Sequence, residues 1–424
     1  MKVKETKGIT LIALVLTIVV LLILAGVVIA TLNGNDNIIK NANTAVEKYN
    51  EKTNEGQRIL NNLEEKLKEY TEESNSSTTV EDYNPANLKV DENGLATANI
   101  RVKPDTNNEN NLQIVIPTGF APAILQTGTT QSLPGQDGSV KNKMPASQWN
   151  NITAEDINKG IVVVDADGNE FVWIPITDAS KFARVAWTTK YGYDVSGNWN
   201  SSGTLTTPHP LSEEISPTIG WWEDKTSTEY TNMVTSVIQY KGFYIARYEA
   251  SANTNKTKAQ SKRDVDTWIS ITQIEATTKS DNYNSTLHSH LMYGIEWDSI
   301  LNWLKENAII SSSISGKTKT MELADLQSNS CSWGNYKNSN GDAANNNGLL
   351  QTTGKSEYWK ANNIYDLAGN LYEWTQERWS ISSERAGRGG YYNYNGETSP
   401  VVDRDYCGTS IANKGVGFRF SFYL

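Results

Sequence analysis

Residues Ile9 to Leu32 form an apolar run interrupted only by Thr10, Thr17, Gly26 and Thr31. About 20 apolar residues suffice to cross a bilayer as a helix, so this stretch is expected to span a membrane. Lys2, Lys4 and Lys7 outweigh Glu5 in the segment before it. The positive-inside rule keeps such an N-terminus cytoplasmic and sends everything after Leu32 outward. The expected localisation is the cell membrane, single-pass, with an extracellular head. A secretory signal would have a shorter apolar core ending in a small-residue cleavage site, whereas Gly26 lies deep inside this run.

The segment "KGITLIALVLTIVVLLILAGVVI" resembles the class III leader of type IV prepilins. That resemblance implies a cytoplasmic leader, residues 1–8, cut after Gly8 to leave Ile9 first, and pilin-like subunits as partners. The fifth residue of a mature pilin is usually a glutamate that pairs with a neighbouring subunit; here it is Ala13, which leaves polymerisation unsupported. A plain anchor without processing places the remainder outside the cell equally well.

Asn33-Gly34-Asn35-Asp36-Asn37 is a cluster of helix breakers at the expected membrane surface. Beyond it Ile38, Ile39, Ala42, Ala45, Val46, Tyr49, Ile59, Leu60, Leu63, Leu67 and Tyr70 recur every three to four residues, so 33–70 is predicted to be an amphipathic helical stalk. Residues 71–84, "TEESNSSTTVEDYN", have no apolar period and read as a solvated linker. The head is assigned to 85–424. There the pattern changes to strands around Leu112 to Pro117, Gly160 to Ile176 and Gly242 to Ser251, with a hairpin turn at Asp167-Gly168-Asn169. Helical periodicity returns only in Ile295 to Asn307. The predicted fold class is α+β.

"FVWIPI", "GFYIARYEAS", "SHLMYGIEWDSI", "SWGNY", "NIYDLAGNLYEWT", "RGG" and the terminal "GFRF" occur in the order seen in the formylglycine-generating enzyme, or sulfatase-modifying factor, family, which the chain resembles from about Leu112 to Leu424. The resemblance implies a C-type-lectin-like head. Gly369-Asn370 reads as a tight turn, Trp374 as a core anchor, and Arg388 and Arg419 as donors to buried carbonyls or carboxylates. By the same resemblance Asn370 and Glu373 would help to hold a structural calcium; the alternative is a hydrogen-bonded core carboxylate.

Oxidase members of the family place two copper-binding cysteines between "RGG" and "GFR", where this chain has only Cys407; Cys331 lies well upstream. A metal-dependent oxidase of the formylglycine-generating type is therefore the disfavoured alternative, and no cofactor is required. An exported chain can also join the two cysteines as one bridge. A related branch binds iron through three histidines in a separate helical domain; this chain has only His209, His288 and His290, which read as loop or packing residues. A formal charge of -10 argues against nucleic acid, whose binding needs a basic stripe.

With 13 Trp and 20 Tyr against 7 Phe, much of the aromatic surface carries a polar handle, which suits recognition. The densest such stretch follows "RGG": Tyr391, Tyr392, Asn393, Tyr394, Asn395, Asp403, Asp405 and Tyr406. Tyrosine supplies contact area with few rotors to freeze, and asparagine supplies adaptable hydrogen bonds. The arrangement resembles the variable C-terminal region of proteins diversified by retroelements. The sequence thus points to a non-catalytic adhesion protein whose partner is a protein or glycan on another cell, phage or host surface.

Overall fold

The computed structural model describes residues 79–104, 111–125, 140–185, 192–193, 199–200, 223–311, 318–339, 348–378, 384–410 and 412–424. All lie within one compact unit, Ser77–Leu424. The leader, the apolar run, the stalk and the processing residues Gly8 and Ile9 lie outside the described residues. Among the described residues no helix is long and apolar enough to cross a membrane.

The fold is α+β and sheet-rich. Seven strands form an antiparallel sheet in the order Ser289–Leu291, Phe420–Phe422, Gly242–Ala246, Glu170–Pro175, Val162–Asp165, Phe120–Leu125 and Val140–Lys143. Its central strands are near-continuous apolar runs because both faces are covered. Phe171, Trp173, Tyr244 and Phe422 enter one core cluster, while Val172, Ile174, Phe243 and Ile245 enter another. The two-residue period of a strand produces that division. The helix Gly294–Asn307 puts Trp297, Ile300, Leu301 and Leu304 into the second core, at i, i+3, i+4 and i+7. Fully burying each such side chain contributes about 1.5–3 kcal/mol.

Two further helices of nine residues or more, Glu223–Tyr240 and Gln273–Asp281, depart from the expectation of one local helix. The first is rich in Ser, Thr and β-branched residues, which are poor helix formers, and its buried Met233 and Val237 pack into the second core. The second carries a capping box, Thr272 with Glu275, that satisfies two terminal N–H groups. The head also begins earlier than expected. Val80–Asp82 is already a strand, paired in parallel with Asn99–Val102, and three residues are too few to display a period.

A four-stranded sheet, ordered Arg404–Gly408, Glu384–Arg388, Tyr372–Arg378 and Val416–Phe418, carries the C-terminal region. Its first two strands are antiparallel neighbours, and the chain between them, 389–403, holds most of the candidate ligand-binding residues.

Candidate functional site

The strand Tyr372–Arg378 and the 389–403 connection build one aromatic cluster. Tyr391 is the hub, with its ring centroid 4.5 Å from Tyr394, 5.3 Å from Tyr392 and 5.4 Å from Tyr372. Tyr372 is buried and its hydroxyl lies 3.0 Å from both Ser399 Oγ and Asp403 Oδ2. Burial, and then the neighbouring Asp405, push the Asp403 carboxyl up to about 6, against the hydrogen bonds from Tyr372 and Ser399. At neutral pH the carboxylate accepts the hydrogen bond that Tyr372 Oη donates, which locks the base of the cluster. Outward from this anchor Tyr391 and Tyr392 are half-buried, while Asn393, Tyr394 and Asn395 are exposed, Tyr394 by 44%.

Backbone bonds hold the loop. Tyr392 N donates to Asn370 O at 3.1 Å, Tyr394 N to Tyr391 O at 3.0 Å, and Lys337 N to Tyr394 O at 2.9 Å. Gly369 and Asn370 both sit at positive φ, 75° and 57°, as the tight turn requires. A Cβ on Gly369 would meet Asn335 O at 2.3 Å, so glycine is needed there for closeness as well as for φ.

Of the sequence-predicted ligand residues, Tyr391, Tyr392, Asn393, Tyr394 and Asn395 come together, with Asp403 beneath them. Asp405 is half-buried on the strand Arg404–Gly408, opposite Gly387. The Tyr406 side chain lies outside the described residues. Two residues were missed. Tyr372 reads as scaffold in the "YEW" block yet anchors the cluster. Leu349 is 59% exposed, and its carbonyl accepts from Asn335, which in turn bonds Asn370.

Asn370 and Glu373 do not fit a calcium ion. Asn370 Oδ1 accepts from Asn335 Nδ2 at 2.9 Å and Gln351 N at 3.1 Å, and its Nδ2 donates to Glu249 at 2.5 Å. Both Glu373 oxygens accept from Arg419, at 2.7 to 3.1 Å. A guanidinium thus takes the carboxylate a cation would need, and among the described residues no group of three or more His, Cys, Asp or Glu is disposed to hold a metal. Burial raises the pKa of Glu249, Glu373 and Asp366, the last to about 7, against the opposing pull of the Arg419 guanidinium near all three.

A second buried network joins Arg184, Arg388 and Arg404 to Asp298 and Glu377. His290 is buried between Glu296, 3.2 Å away, and Ser421 Oγ, 3.0 Å away, as a packing histidine rather than a ligand. Cys331 is a free buried thiol whose Sγ lies 3.0 Å from Asn338 Oδ1, and burial pushes its pKa up. The Cys407 side chain lies outside the described residues.

No family model and no curated protein matches this chain. Among solved structures it is similar to PvdO from Pseudomonas aeruginosa at 14% identity, covering 62% of this chain and 98% of that one, with a TM-score of 0.35. It is also similar to Treponema denticola variable protein 1 at 12% identity, covering 76% and 99%, with a TM-score of 0.23. At TM-scores this low neither likeness carries an argument.

Proposed function

We propose that the chain is a surface-displayed, non-catalytic binding protein, anchored through residues 9–32 after leader removal at Gly8. Its C-type-lectin-like head presents the tyrosine cluster to a protein or glycan on another cell, phage or host surface. One observation carries this reading: Tyr391 packs on an anchor, Tyr372, that is hydrogen-bonded to Asp403, and Tyr392 and Tyr394 pack in turn on Tyr391, leaving Tyr394 exposed. Rigid aromatic side chains lose little entropy on contact, and such residues dominate binding hot spots. Cells displaying the full chain should attach to some member of a panel of printed glycans and immobilised bacterial or epithelial extracts. Replacing Tyr391, Tyr392 and Tyr394 together by Ala should abolish that attachment while the thermal melt of the head keeps its cooperativity. Undiminished attachment by a folded triple variant would refute the site.

A further inference from the structure

At the start of the head a groove of about 320 Å³ opens beside the strand Val80–Asp82. None of its lining residues belongs to the tyrosine cluster. That volume puts it at the small end of ligand pockets, which run from about 300 to 1,000 Å³. Its back wall is aromatic. Tyr83 and Trp149 lie with centroids 6.3 Å apart. Their polar ends are already used, Tyr83 Oη donating to Ala146 O at 2.8 Å and Trp149 Nε1 to Met144 O at 3.1 Å. Those bonds fix the two rings and leave the half-buried Tyr83 to offer carbon surface.

The rim is polar and exposed, built from Glu81, Asp82, Asn84 and Asn87. Charge decides which ligands suit it. An aromatic wall flanked by carboxylates would favour a cation, but Lys89 also lines the groove and Asp82 is paired with Arg101 at 3.1 Å. With Arg101 counted beside the lining, two carboxylates face two cations and neither sign is in excess, which disfavours phosphates and ammonium ions alike. What remains is a neutral molecule with an apolar face for Tyr83 and hydroxyls that both donate and accept, matching amides and a carboxylate.

We propose that this groove is a subsite for a neutral hydroxylated ligand, one pyranose unit of a glycan. The ring face packs on Tyr83, and Asn84, Asn87 and Glu81 bind its hydroxyls. Saturation-transfer NMR on the full chain in nanodiscs, avoiding glycoside detergents, tests this with methyl pyranosides of glucose, galactose, mannose and N-acetylglucosamine. At least one should receive transfer at its ring protons. Tyr83→Ala should weaken that ligand roughly tenfold, or about 1.4 kcal/mol, and Tyr83→Phe should retain most of the affinity. Asn87→Ala, at an exposed position that leaves folding intact, should weaken it as well. The Tyr391, Tyr392 and Tyr394 triple variant should bind it unchanged, which separates this subsite from the tyrosine cluster. Transfer to none of the four sugars, transfer indifferent to both Tyr83→Ala and Asn87→Ala, or transfer to tetramethylammonium in their place would overturn the proposal.

Discussion

Replacing Glu373 by Gln keeps the shape of the side chain and removes the charge that Arg419 faces in the core. Both residues are buried, and the carboxylate takes three contacts from the guanidinium at 2.7 to 3.1 Å. Arg419 would keep Ala246 O at 3.0 Å and Tyr365 O at 2.8 Å, which accept hydrogen bonds without neutralising it. Breaking one side of a buried ion pair costs about 3–5 kcal/mol. The lower end applies here, because Asp366, raised to about 7, also interacts with Arg419 and can ionise to supply part of the missing charge. A cost of about 3 kcal/mol at about 2 °C per kcal/mol for a large domain lowers Tm by about 6 °C. Scanning calorimetry of the full chain in nanodiscs reads this directly, with calcium and with a chelator. The parent Tm should not respond to either addition. A drop under about 2 °C, or a variant whose Tm calcium restores, would refute the assignment of Glu373 to Arg419. The double change Glu373→Met with Arg419→Met should recover little of the loss, since Ala246 O and Tyr365 O would then lose the Arg419 donor at about 1–3 kcal/mol each.

Burial opposes charge on His290, but Glu296, Glu229 and the His288 carbonyl outweigh it and hold the imidazole up at about 9. Because that lies above the unfolded value of about 6.5, the pair's contribution is full below about pH 6.5 and is lost as pH rises through about 9. Urea denaturation should therefore show stability falling by up to about 3 kcal/mol over that window, and His290→Gln should flatten the curve; an unchanged slope in the variant sinks the idea. The leader is checked by N-terminal sequencing of the membrane-extracted chain, expected to begin at Ile9; an intact Met1 in cells that hold the peptidase would leave only a simple anchor.

The strands at 162–165, 170–175 and 242–246 were legible as short β-rich apolar runs bounded by Gly and Asn, and the helix at 294–307 by its strong apolar period. The helix at 223–240 was not, since its stability comes from packing Met233 and Val237 against a core that no local window reveals. The helix at 273–281 left a readable signal in its capping box, Thr272 to Glu275. In the candidate site, composition singled out Tyr391 to Asn395 but could not distinguish exposed from half-buried tyrosines. It also could not show that Tyr372, nineteen positions earlier than Tyr391, forms their floor. The partner of Glu373 was not legible for a long-range reason: Arg419 meets it across 46 positions of sequence, and only the fold brings them together.

The loop at 391–399 is held through its backbone. Tyr392 N, Tyr394 N and Tyr394 O are bonded to main-chain partners, and Thr398 N and Ser399 N both close on Asn395 O. Because those bonds are indifferent to what lies beyond Cβ, residues 392 to 395 can exchange side chains without re-specifying the path of the chain. Tyr391, packed against the core, cannot be exchanged so freely. The fold therefore separates positions that must stay constant from positions whose side chains can change without altering the path of the chain. A combinatorial library confined to those four positions would sample new specificities at little cost in yield.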